Sequence, residues 1–208
     1  MAAGWGGRCN VCEKMDKGAP ENVTLLSVTF HSPTPAVFLD RDGTLMEEVD
    51  YCRDPARVSL FAGVREALGR LKEAGFFTVI VSNQSGIGRG RITMQEYEAV
   101  HARLLELIGE ELIDAAYFCP DKPGDESLRR KPAPGMLLEA AREHALDLSR
   151  SWMIGDKAID MQCGRNAGVQ PILVETGYGA NEDASGAEFV AKDFATAADF
   201  ILKQCHVR

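Results

Sequence analysis

Six short apolar runs punctuate the chain, at 36–39, 76–81, 115–119, 152–154, 172–174 and, more weakly, 189–190. None alternates apolar with polar positions. Runs of three to six apolar residues without alternation suit strands buried on both faces, as in a parallel sheet. Between the runs lie stretches of helical period. Val64, Ala67, Leu68 and Leu71 share one helix face that stops near Gly75. Thr93 and Glu96 have capping-box spacing, and Tyr97, Val100, Leu104 and Leu107 continue the stripe behind them. Pro134 occupies a first-turn position before Leu137, Ala140, Ala141 and His144, and 194–202 reads as a last short helix. This alternation predicts an α/β domain built on a doubly wound, mostly parallel sheet with helices on both faces. Only short recognition loops are expected over its edge, with no large cap domain.

Residues 1–35 differ in character. They are rich in glycine and charge, end in Ser32-Pro33-Thr34-Pro35, and hold one candidate strand at 23–30. A flexible leader and an added edge strand are both compatible with that composition. Residues 36–208 form the expected globular domain, and 208 residues suit one domain better than two. The formal net charge of -8 argues against a nucleic-acid partner held by its phosphate backbone. No apolar run is long enough to cross a membrane, and Met1 to Gly6 lack the pattern of a secretory signal. Six scattered cysteines fit a reducing, cytoplasmic setting better than a disulfide scaffold. Cys9 and Cys12 have redox or half-zinc spacing but no second pair to complete it, so they read as incidental. A monomer is the default expectation.

In a doubly wound sheet, ligands bind beyond the carboxyl ends of the strands. Four polar strings fall there: Asp40-Arg41-Asp42-Gly43-Thr44, Ser82-Asn83-Gln84, Arg129-Arg130-Lys131-Pro132 and Gly155-Asp156-Lys157-Ala158-Ile159-Asp160. Gathered carboxylates repel one another, and Mg²⁺ shared between carboxylates and a phosphate relieves that repulsion. Lys131 would balance the remaining phosphate charge. Asp40 would attack phosphorus, and Asp42, two residues on, would protonate the leaving oxygen and later deprotonate water. None of the four histidines, His31, His101, His144 and His206, falls in these strings. His144 is expected on a helix surface.

These residues resemble the four signatures of the haloacid dehalogenase-like phosphatase superfamily. The longer strings from Ser82 to Gly90 and from Arg130 to Met136 are similar to the subgroup of heptose-bisphosphate and histidinol-phosphate phosphatases. The resemblance spans about 37–179. It implies Asp40 as nucleophile, Asp42 as general acid/base, and Mg²⁺ held by Asp40, the Asp42 backbone carbonyl and Asp156, with Asp160 supporting that shell. It further implies that Ser82 and Asn83 bind the transferring phosphoryl group and that Lys131 neutralises it. Loops at 46–53, 84–91 and 119–130 would recognise the sugar phosphate, with Gln84 among the substrate-facing residues.

One departure stands out. The subgroup usually carries Cys-x-His, then Cys-x-Cys before Arg-Lys-Pro, as a zinc loop. Here only Cys119 remains, with Ser127 and Arg129 where the later cysteines would stand. Zinc is therefore not expected. The expected activity is Mg²⁺-dependent removal of the 7-phosphate of a heptose 1,7-bisphosphate through an aspartyl-phosphate. Histidinol phosphate or another small phosphate is the alternative substrate. Arg89, Arg129 and Arg130 are candidates for holding a second phosphate through forked hydrogen bonds. A non-enzymatic binding protein on the same fold would have lost the nucleophile, and Asp40 is present. No Gly-x-x-x-x-Gly-Lys-Ser/Thr stretch points to a nucleotide.

Overall fold

The structure is a computed structural model and describes residues 33–205. The candidate strand at 23–30, Cys9 and Cys12 lie outside these residues. Six parallel strands form one sheet: β1 (Thr34–Leu39), β2 (Phe77–Asn83), β3 (Ala115–Cys119), β4 (Leu146–Gly155), β5 (Gln170–Val174) and β6 (Phe189–Ala191). Their order is β3-β2-β1-β4-β5-β6, so the chain reverses its direction of winding between β1 and β4. Helices α1 (Val64–Glu73), α2 (Ser85–Gly88), α3 (Met94–Ile108), α4 (Gly135–His144), α5 (Ala158–Ala167) and α6 (Phe194–Cys205) connect or flank the strands.

The unalternating runs have the predicted cause. Val37, Leu39, Ile80, Trp152 and Ile154 bury against the face that carries α1, α3 and α6. Ala36, Phe38, Val79, Val81 and Met153 bury on the opposite face, with residues of α4 and α5. Two cores on one sheet leave little room for polar side chains along the strands, so polar chemistry concentrates at the strand ends.

The local expectations hold with small shifts. Thr93 and Glu96 form the reciprocal capping box. The buried stripe of α3 runs through Tyr97, Val100 and Leu104 but closes on Ile108, while Leu107 is half-buried. Pro134 is the residue just before α4 rather than its first turn, and His144 is exposed at the helix end, 3.2 Å from the Tyr117 hydroxyl. Strand β4 begins six residues before its apolar run. Its register against β1 shifts between Pro35 and Val37, where the Ser151 hydroxyl accepts from Ala36 N at 2.8 Å. A polar residue thus serves the sheet interior at an irregularity.

Helix α5 has no clear apolar stripe in the sequence. It buries Asp160, Met161, Cys163, Gly164 and Ala167. A Cβ on Gly164 would stand 3.1 Å from Met153 Cβ, so glycine lets this helix lie close on the sheet.

Candidate active site

The reversal of winding between β1 and β4 opens a crevice at their carboxyl ends. Asp40 follows β1 directly, and its N–H donates to the Ile154 carbonyl at 2.9 Å, which seats the residue firmly on the neighbouring strand. The chain then turns through Gly43, whose φ of 83° favours glycine. A Cβ at Gly43 would also collide with the Asp156 carboxylate, which follows β4. Asp160 lies in the first turn of α5, where its carboxylate accepts from Lys157 N at 3.1 Å.

Asp40, Asp156 and Asp160 each offer an oxygen within 4.8 Å of the others, and all three are buried. Lys131 is also buried, with its ammonium 2.7 Å from both Asp40 and Asp160 and donating to the Val81 carbonyl at 2.9 Å. Burial by itself would weaken this ammonium, but Asp160 and Asp40 raise its pKa above the usual lysine range. Lys131 faces three acids, and Lys157, which also attracts Asp156, is paired with Glu48, so negative charge remains in excess. Burial, with Asp40 beside it, pushes Asp156 up to about 7. Burial likewise raises Asp160 to about 6, despite the opposing pull of Lys131. Asp156 Oδ2 accepts from Tyr178 N at 2.9 Å, while its buried Oδ1 has no hydrogen-bond partner. An all-oxygen carboxylate cluster with an unsatisfied buried oxygen fits a hard divalent cation.

Asp42 faces the same cavity under different restraint. Arg41 forks its carboxylate at 2.9 and 3.0 Å, and Gln84 Nε2 donates to it at 2.9 Å. The same Gln84 nitrogen lies 2.8 Å from the Ser82 hydroxyl. Arg41 is buried, with its guanidinium carbon 5.3 Å from the centre of the Tyr97 ring. Burial opposes its charge, but Asp42 outweighs that cost and raises its pKa.

The cavity measures about 230 Å³ and is lined by Asp40, Asp42, Ser82, Asn83, Gln84 and Lys131 together with the segment 48–52, Lys157 and Tyr178. Asp40, Asp42, Ser82, Asn83, Gln84 and Lys131 therefore meet at one cavity, and Asp156 and Asp160 cluster with Asp40. Two of them are occupied in ways the sequence did not suggest. The Asn83 side chain accepts from Lys131 N and donates to Lys131 O, both at 3.0 Å, so it anchors the lysine main chain. Gln84 links Ser82 to Asp42.

The three arginines do not line this cavity. Arg89 is exposed at the end of α2. Arg129 reaches Glu139 on α4 and the Phe118 carbonyl, at 3.4 and 3.3 Å. Arg130 donates to the Asp121 carbonyl at 2.8 Å. Loop contacts engage part of the donor set of each of these two side chains.

Several participants had no individual role assigned from the sequence. Arg41 stood in the sequence only as the residue between two aspartates. Glu48 and Lys157 pair across the cavity mouth at 3.2 Å, and Lys157 stands 4.5 Å over the Tyr178 ring. Gly177 and Tyr178 close around Asp156 from the loop after β5. Their only sequence signal was a glycine-rich segment beyond an apolar run.

The loop before Lys131 is organised by side-chain hydrogen bonds. The Cys119 thiol donates to Asp121 at 3.3 Å and lies 3.6 Å from the Ser127 hydroxyl, and burial raises its pKa. Ser127 Oγ accepts from the backbone N–H groups of Arg129 and Arg130, at 3.3 and 3.1 Å.

A family model described as HAD-hydrolase-like matches residues 128–197. The D-glycero-D-manno-heptose-1,7-bisphosphate 7-phosphatase of Thermosynechococcus vestitus is 43% identical over 188 residues, covering 81% of this chain and 96% of that protein. The D-glycero-beta-D-manno-heptose-1,7-bisphosphate 7-phosphatase of Escherichia coli K12 is 36% identical, with 82% of this chain and 95% of that one covered. Among solved structures, the D,D-heptose 1,7-bisphosphate phosphatase of B. bronchiseptica, complexed with magnesium and phosphate, aligns with a TM-score of 0.75 at 31% identity. That alignment covers 82% of this chain and 99% of the other. With its carboxylates and lysine gathered at the end of a parallel sheet, the chain belongs to the heptose-1,7-bisphosphate 7-phosphatase family of HAD-like hydrolases and is a phosphatase.

Proposed function

We propose that the protein removes the 7-phosphate of D-glycero-D-manno-heptose 1,7-bisphosphate through an aspartyl-phosphate on Asp40. The observation that carries this reading is the clustering of Asp40 with Lys131, Asp156 and Asp160, in a chain 43% identical to such a phosphatase over 81% of this chain and 96% of that one. Asp40, Asp156 and the backbone carbonyl of Asp42 would hold Mg²⁺, with Asp160 behind them. When bound, that ion offsets phosphate charge and orients the phosphoryl oxygens.

The chain's own groups supply the rest. Lys131 offsets a further negative charge on the phosphoryl group from a buried position, where little water screens it. The Asp40 carboxylate attacks phosphorus as the bond to the sugar oxygen breaks, and Asp42 gives that oxygen its proton. Asp42 then takes a proton from the water that attacks the aspartyl-phosphate, which releases inorganic phosphate and restores Asp40. Arg41 donates to both Asp42 oxygens, and Oδ1, which accepts from Arg41 alone, keeps a second lone pair for the proton. Ser82, adjoining the nucleophile in the cavity, contributes a hydroxyl to the phosphoryl oxygens. We place this reaction in the cytoplasm, in keeping with three buried cysteines, Cys52, Cys119 and Cys163, that remain free thiols.

The direct test is phosphate release with Mg²⁺ from heptose 1,7-bisphosphate and from histidinol phosphate. One equivalent released from the bisphosphate, leaving the 1-phosphate, is expected. Faster turnover of histidinol phosphate would overturn the substrate assignment.

A further inference from the structure

Beside the catalytic cavity lies a second groove of about 530 Å³, lined by Asp50, Tyr51, Arg53, Asp54, Arg57 and Arg91. Asp50 and Tyr51 border both spaces, so a ligand reaching from one to the other passes Tyr51. We propose that Arg53, Arg57 and Arg91 hold the phosphate of the substrate that is not cleaved. This rests on the bisphosphate reading above and moves recognition away from Arg89, Arg129 and Arg130.

Charge favours an anion here. Among the groove-lining residues three guanidiniums face two carboxylates, and Asp54 already accepts from Ala56 N at 2.9 Å as the cap of the turn Pro55–Arg57. Glu96, outside the lining, interacts with Arg53 but is itself bound to the Thr93 cap. Among the described residues, none of the three arginines lies within ion-pair distance of a carboxylate, whereas Arg41, Arg70, Arg103 and Arg129 do. A guanidinium without a fixed carboxylate partner can offer its full fork to a phosphate.

The groove also has a built wall. Tyr51 adopts φ of 47°, a left-handed conformation uncommon outside glycine, and the Arg91 guanidinium lies 4.9 Å over its ring. The ring packs so closely on Gly86 that a Cβ there would stand 2.6 Å from Tyr51 Cδ1. Gly86 belongs to α2, directly after the Ser82–Gln84 segment, so the wall is keyed to the turn that lines the catalytic cavity. A phosphate held beyond Tyr51 would use its binding energy to align the scissile group with Asp40.

The experiment compares kcat/KM for heptose 1,7-bisphosphate with that for heptose 7-phosphate, in wild type and in a variant carrying Arg53→Gln, Arg57→Gln and Arg91→Gln. All three side chains are exposed, so the substitutions leave the core untouched. The wild type should prefer the bisphosphate, and the variant should lose that preference by tenfold or more, chiefly through KM. Added salt should erode the preference in wild type more than in the variant, because exposed charges are screened. A wild-type ratio near one would remove the bisphosphate reading, and the groove assignment with it. A wild-type preference that survives in the variant but disappears in Arg129→Gln or Arg130→Gln would remove the groove assignment alone.

Discussion

The Asp160 carboxylate lies 2.7 Å from Lys131 Nζ, and both side chains are shut off from solvent. Asp40 shares that ammonium at the same distance. A single buried cation thus restrains two acids that would otherwise repel each other and Asp156. Deleting it leaves uncompensated charge in a dry site, a change that costs about 3–5 kcal/mol in other buried pairs. Lys131→Met is therefore expected to abolish phosphatase activity and to lower the Tm of the metal-free protein by on the order of 10 °C at pH 8. Thermal denaturation in chelator checks it, and an unchanged Tm would contradict the ion-pair account.

The same excess of carboxylate sets the pH response. Asp156 at about 7 and Asp160 at about 6 both stand above the unfolded value near 4. The folded protein then binds protons that the unfolded chain has released. Stability from this source is fully present below pH 4 and is lost as pH rises through about 6 to 7. Mg²⁺ competes with those protons, so the Tm gain it confers should be small at pH 5 and large at pH 8. Paired melts with Mg²⁺ and with chelator at the two values decide the matter. An equal gain at both would contradict it.

Asp40→Asn retains size but removes the attacking charge, and turnover should fall by several orders of magnitude with the fold intact. Asp42→Asn should slow an alkyl phosphate far more than p-nitrophenyl phosphate, since a good leaving group needs little proton assistance. Near-normal turnover by Asp40→Asn would favour direct attack by water.

Gln84 holds Asp42 and Ser82 at once, at 2.9 and 2.8 Å. In the proposed reaction it would act as a positioning residue. Gln84→Leu should lower kcat by about 10-fold or more with a smaller change in KM, and the penalty should grow as the leaving group worsens. Measuring both parameters over a leaving-group series would separate this role from simple substrate binding, which would raise KM alone.

The loop from Cys119 to Lys131 predicts a metal content as well. Ser127 gives its oxygen to two backbone N–H groups, and the Cys119 thiol is engaged with Asp121. Purified protein should hold substoichiometric zinc, and one tightly bound zinc per chain by elemental analysis would overturn this. Ser127→Ala should loosen the loop and reduce turnover while leaving the core unaffected.

Most of the fold was legible because its signals are local. An apolar run buried on two faces, a Thr-x-x-Glu cap and a glycine after a helix act over a few residues. All six strands, the last only weakly, and four of the six helices among the described residues could be read this way. Helix α5 could not, since its buried side includes Asp160, which is satisfied by Lys131 from a distant loop, and Gly164, which packs by being small. The strand-end rule likewise gathered Asp40, Asp42, Ser82, Lys131 and Asp156 from the sequence alone.

The sequence by itself determined the sheet, the ends at which polar residues collect, and the types of group available there. The tertiary structure alone decided which group meets which. Asn83 ties down the main chain of Lys131, Gln84 links Ser82 to Asp42, and Arg129 turns to Glu139 instead of the cavity. Except for the neighbours Ser82 and Gln84, these partners lie ten to nearly fifty positions apart. Their meeting depends on crossover geometry and on side-chain direction at the end of each strand, neither of which is encoded in any short window. For the same reason the arginines nearest Lys131 in sequence are not those beside the cavity, and the segment after Asp42 brings Tyr51, Arg53 and Arg57 to the rim instead.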